Sequence, residues 1–155
     1  MSLKTTVHSP KLIVTRLRIE AALRHAQFAV RVEGGRLFVC TIFGEIPVII
    51  ESVHDGDVWI ALRFPFGVCP DSDSDFGDFI ARENERDDGI RLEVDEDGAV
   101  CFCWDSEFSG EVDSAHVVRS VALLGIACVE TGKELRQRFF VQPVSRHNRS
   151  YGGME

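Results

Sequence analysis

Two kinds of spacing alternate along the chain. From Ser9-Pro10 onward, Leu12, Ile13, Leu17, Ile19 and Leu23 recur at helical spacing, with Arg16, Glu20 and Arg24 between them. Ser9 suits an N-cap and Pro10 the first turn, where a missing N–H is no loss. The pattern predicts a helix that ends within 25–27. The period then falls to two. Phe28, Val30 and Val32 alternate with Ala29, Arg31 and Glu33, and Gly34-Gly35 suits a tight hairpin turn. Residues 36–43, 46–52 and 58–64 read as three further strands of an antiparallel meander, which Pro65, Gly67 and Pro70 are expected to stop. Helical spacing returns with Phe76, Phe79 and Ile80, and Gly89 marks the stop. The acidic run 71–75 reads as a loop feeding that helix's N-terminus. An EF-hand is set aside because the glycine and closing glutamate are missing.

The stretch 90–104 is a hairpin around Asp95-Glu96-Asp97-Gly98. Two registers compete. With Gly98 left-handed after a type I turn, Asp95 meets Ala99, and Val94, Leu92 and Ile90 face Val100, Phe102 and Trp104. A two-residue turn would instead bury Cys101 and Cys103 and expose both aromatics. Burial at roughly 25 cal/mol per Å² favours the first by several kcal/mol. The last helix is expected to start at Asp113 or Ser114, with Val117, Val121, Leu124, Cys128 and Leu135 on its buried face. Its apolar face is wide enough to meet something besides the sheet. The predicted fold is α+β: a twisted antiparallel sheet with helices packed on one face, in the order α-β-β-β-β-α-β-β-α. One domain over 9–141 and a flexible tail over 142–155 are expected.

The segment FIARENERDDGIRLEVDEDGAVCFCWDSEF resembles the YbjN family of bacterial proteins, whose fold is similar to type III secretion chaperones. A helix ends in a polar turn containing Asn84, a strand follows, and the acid-rich turn from Asp95 to Gly98 leads into an aromatic return strand and a long helix. The chain departs from the chaperone core in reading as four strands before the second helix, where three are usual. The resemblance implies a protein-interaction module, chaperone-like or regulatory, often dimeric, that holds an extended client segment. It supplies no catalytic residue.

Charge supports that direction. Lys plus Arg number 17 and Asp plus Glu 25 in 155 residues, a net −8. This disfavours nucleic acid and anionic lipid and permits basic partners. No run of about 18 apolar residues reads as a membrane span. Five cysteines, an odd number, and no apolar leader suggest a reducing cytoplasm.

No motif rises to a catalytic, cofactor or metal site. Cys101 and Cys103 project from one strand face about 6 to 7 Å apart along the chain, which is poor disulfide geometry. Cys69, in a loop between Val68 and Pro70, is the better candidate for an exposed thiol. His8, His25, His54, His116 and His147 are scattered, with His116 expected at the surface of the last helix. The more informative residues are Phe38, Ile42, Ile49 and Trp59, each out of phase with its strand's core positions. They form the candidate protein-binding surface for a client or a second copy in a homodimer. The alternative function is a small-molecule or metal-binding enzyme or sensor that uses cysteine thiols.

Overall fold

The computed structural model describes residues 9–70, 74–139 and 141–143. The expected tail beyond 143, residues 71–73, Phe140, His8 and His147 lie outside them. Three helices are α1 (Pro10–His25), α2 (Ser74–Glu83) and α3 (Ser114–Phe139). The strands are β1 (Ala29–Glu33), β2 (Arg36–Thr41), β3 (Gly44–Ser52), β4 (Val58–Val68), β5 (Arg91–Val94), β6 (Ala99–Phe108) and β7 (Gln142–Pro143). They make one antiparallel sheet in the order β1-β2-β3-β4-β6-β5, with β7 added beside β4. The class is α+β, and the predicted element order holds, with four separate strands before α2 and a short seventh strand after α3.

The hairpin register is the one chosen by burying the aromatics. Leu92 pairs with Phe102 and Val94 with Val100. Gly98 has φ 82°, Gly98 N donates to Asp95 O at 3.1 Å, and Asp95 N donates to Ala99 O at 3.0 Å. The Asp95 carboxylate accepts from the N–H groups of Asp97 and Ala99, each at 2.9 Å, which secures the turn from its side chain.

All three helices pack on one face. Their contacts bury Leu37, Val39, Ile46, Val58, Ile60, Leu62, Phe102 and Trp104 against Val117, Val121, Leu124, Cys128 and Leu135. The helix α3 has the length and average hydropathy of a membrane span, and this stripe is used against the sheet. Its N-terminus is capped by Asp113, whose carboxylate accepts from Ala115 N at 3.1 Å and His116 N at 3.3 Å.

Three expectations change. The strand β4 runs through Pro65 to Val68 instead of ending at Phe64. Between Leu62, where β3 stops pairing, and Gly67, where β7 begins, the edge of β4 away from β6 is unpaired. No ladder partner there asks Pro65 for an N–H. A bulge at Phe66 shifts the register between Pro65 and Gly67 and sends the Phe66 ring inward, edge-on to Phe102 at 5.2 Å. In α1 the buried stripe is Leu12, Thr15, Ile19 and Leu23; Ile13 and Leu17 lie off it and are exposed. Thr15 fits the stripe because its hydroxyl donates to Lys11 O at 2.9 Å. The body also reaches two residues past Val141, since Gln142 and Pro143 pair with Val68 and Gly67.

Two glycines of α3 separate packing from propensity. A Cβ at Gly132 would lie 2.6 Å from Phe66 Cζ, whereas nothing lies within 4 Å of one at Gly125. Gly125→Ala should stabilise the protein by about 0.5 to 1 kcal/mol. Gly132→Ala should destabilise it by about 1 to 3 kcal/mol, since the buried ring must move. Urea denaturation of both variants checks this, and equal midpoints would contradict the packing.

Candidate functional site

The sheet's second face carries no helix among the described residues. Strand alternation and register determine what stands there. Arg31 sits beside Phe38 and Pro47; Ile49 beside Ala61 and Asp105; Glu51 beside Trp59 and Glu107. Toward the other edge, Arg63 neighbours Cys103 and Arg91, while Pro65 neighbours Cys101 and Glu93. This surface is a grid of apolar and ionic side chains.

Arginines bind the grid together. Arg31 holds Glu45 through two bonds of 2.7 Å, reaches Glu33, and lies 4.4 Å over the Phe38 ring. At the other side, the Trp59 indole N–H donates to Asp105 Oδ2 at 2.8 Å, and Arg91 donates to Asp105 Oδ1 at 2.8 Å. Arg91 also donates to Glu93 at 3.1 Å, and Arg63 donates to the other oxygen of Glu93 at 3.1 Å. The chain from Trp59 to Arg63 thus links three strands without a break. A side chain bonded at both ends keeps few rotamers, so the surface is ordered before any partner arrives.

The same network shifts the carboxyl groups. The indole hydrogen bond, then Arg91, holds Asp105 below the ordinary carboxyl value of 3.8. The Arg31 bond does the same for Glu45. Burial works against Glu93, but its bonds from Arg91 and Arg63 outweigh it and lower that group as well.

Of the four expected surface residues, Phe38, Ile49 and Trp59 stand half-buried on this open face. Ile42 belongs to neither face. It occupies the two-residue turn between β2 and β3 and is 93% exposed. The strand β2 ends at Thr41 because the Thr41 hydroxyl closes the turn, donating to Gly44 O at 2.7 Å and accepting from Phe43 N at 3.1 Å. Alternation therefore stops one residue before Ile42.

The cysteines are placed differently from expectation. Cys69 is 4% exposed and is not a surface thiol. The tip of the β5–β6 hairpin covers it: Cys69 N donates to Gly98 O at 2.9 Å, and its thiol lies 3.7 Å from Phe139 O. Cys103 is buried although it sits on the open face, between Arg63 and Arg91 in the register. Contact with Cys101 raises the Cys103 thiol, and Cys103 in turn lowers Cys101. Burial pushes Cys128 up to about 12. Among the described residues no disulfide forms and no group of three or more His, Cys, Asp or Glu is arranged to hold a metal. His116 is half-buried, its ring 5.5 Å from Trp104 and 6.0 Å from Phe108.

Sequence periodicity missed two features. Asn84 donates to Leu92 O at 2.9 Å and accepts from Leu92 N at 2.7 Å, so its amide acts as one more strand residue along the edge of β5. A shallow hollow with room for little more than one water adjoins it, lined by Glu83, Arg86, Ile90, Phe102 and Thr131. On the helix layer, Ile13, Val14, Leu17, Ile126 and Val129 are 39 to 51% exposed. The unusually wide apolar face of α3 was the available signal for the last two.

No family model matches the chain, and no curated protein does. Among solved structures it is similar to the Yersinia pestis type III secretion chaperone SycH, crystallised in complex with a stable fragment of YscM2. The identity is 15% and the TM-score 0.43, over 76% of this chain and 95% of that one. A likeness at this level assigns neither family nor partner.

A carboxyl depressed in the folded state stabilises the fold above its unfolded pKa and ceases to do so as pH falls through the folded value. Asp105→Asn should therefore lower the urea midpoint at about pH 7, with the gap narrowing as pH falls below the ordinary carboxyl value of 3.8. A gap of constant size across that range would contradict the charged role of Asp105.

Proposed function

We propose that this protein is a non-catalytic interaction module, chaperone-like or regulatory, that binds a protein partner across the open face of its sheet. One observation carries the reading: Phe38, Ile49 and Trp59 stand half-buried in a grid of arginine–carboxylate bonds on a face without helices. Apolar side chains already held in place bind at lower entropic cost. The face extends across the strands from β1 to β5, an extent that suits a polypeptide better than a small molecule. Ile42, at the hairpin tip, adds an apolar contact at the rim. The cysteine-based alternative loses its main support with the burial of Cys69.

A second reading, self-association as a homodimer, is favoured by a different observation. Five large apolar side chains of α1 and α3 remain exposed on the helix layer, and a second copy would cover them. The two readings use opposite faces and are compatible.

Paired variants separate them. Phe38→Asp combined with Ile49→Asp should abolish co-purification of partners from the native host while leaving the sedimentation coefficient unchanged. Val129→Asp should convert a dimer to a monomer in light scattering and leave partner recovery intact. Partner recovery unaffected by the sheet-face pair, with folding confirmed by circular dichroism, would contradict the first reading.

A further inference from the structure

Trp59 has neighbours that set it apart from the other apolar residues of the open face. Ala61 is only 2% exposed although no helix covers it. The Trp59 indole is its neighbour on that face, and Ile49 and Asp105 flank it. The indole N–H reaches Asp105, the register partner of Ala61, so the side chain extends from β4 toward β6. The ring is half-buried, so part of its surface stays open to solvent.

Glu51 and Glu107 are the direct cross-strand partners of Trp59, one on each side. Two strand spacings place their backbones roughly 10 Å apart. Neither makes an ion pair among the described residues. By contrast, Arg31, Arg63 and Arg91 on the same face are matched to carboxylates, and Arg36 lies 5.6 Å over the Phe38 ring. Two carboxylates without ion pairs thus stand on either side of a half-buried indole.

We propose that this constellation receives a basic side chain, arginine or lysine, from the segment that docks on the sheet. The proposal rests on the open face being the docking surface and specifies the chemistry of the partner there. A cation over the indole meets the negative face of the ring and lies between two carboxylates. A guanidinium suits the site best, because it stacks flat on an aromatic ring while its edges donate to oxygens on either side. The partner is then a basic, extended segment, in keeping with a chain of net charge −8.

The two tryptophans allow a direct test on the full-length protein. Trp104 is buried on the helix side and reports on non-specific change. An arginine octapeptide, titrated into nitrogen-15-labelled protein, should shift the Trp59 indole N–H resonance and leave that of Trp104 in place. The conservative pair Glu51→Gln with Glu107→Gln should weaken the apparent affinity by about fivefold or more. A glutamate octapeptide should give no shift. Shifts at Phe38 and Ile49 without any at Trp59 would overturn the basic anchor while sparing the sheet face as a docking surface. No shift anywhere on the open face, or equal affinity in the glutamine pair, would overturn the anchor, whereas the docking face itself falls only if partner recovery survives Phe38→Asp with Ile49→Asp.

Discussion

The ladder between β4 and β6 runs from Val58↔Phe108 to Val68↔Ala99, the longest pairing in the protein. Both faces depend on its register. On the helix side it aligns Leu62 with Trp104 and Phe64 with Phe102, which form the floor under α3. On the open side it puts Glu107 beside Trp59 and Asp105 beside Ala61. A slip of one residue would turn these side chains to the opposite faces. The bulge at Phe66 ends the regular part of the ladder. Gly67 lets β7 approach, since a Cβ there would lie 2.3 Å from Gln142 O, and Gly132 leaves room for the Phe66 ring.

The two faces are finished by different chemistry. The helix side is closed by volume, with Phe66 against Phe102 at 5.2 Å, and Phe76 and Phe79 against Phe139 at 5.3 and 5.1 Å. Among the described residues the open side has no second layer, and it is ordered by charge. Long arginine stems lie across the strands, cover small residues such as Cys103, and fix the carboxylates. Such exposed pairs contribute little stability individually. Their linkage through Asp105 and Glu93 gives the surface its order. A partner meeting it would find apolar side chains already in position, which is the physical basis for reading this face as a docking surface.

Much of the architecture was legible in the sequence because the deciding interactions are local. The β5–β6 register followed from Gly98 and from weighing Phe102 and Trp104 against two cysteines. The Gly34-Gly35 turn was marked by two residues that accept positive φ, 59° and 78° in the structure. The errors arose where a distant element decides. Pro65 reads as a strand end unless it is known that β3 leaves that edge unpaired. Cys69 reads as an exposed loop residue unless the hairpin tip is known to fold over it. Leu17 fits the stripe of α1 by spacing, yet the sheet reaches only the line through Leu12, Thr15, Ile19 and Leu23. The placement of Phe38, Ile49 and Trp59 opposite the core followed from alternation alone. The Trp59–Asp105 bond, 46 residues apart in sequence, could not, since it needs the β4–β6 register.

The central claim is that the helix-free face of the sheet is the one that meets a protein partner. The most direct measurement places a photo-crosslinking phenylalanine at position 38, or separately at position 129, in the native host and compares adducts after illumination. The account predicts a hetero-adduct from position 38, and from position 129 either no adduct or one at twice the chain's mass. Hetero-adducts from position 129 with none from position 38 would contradict it.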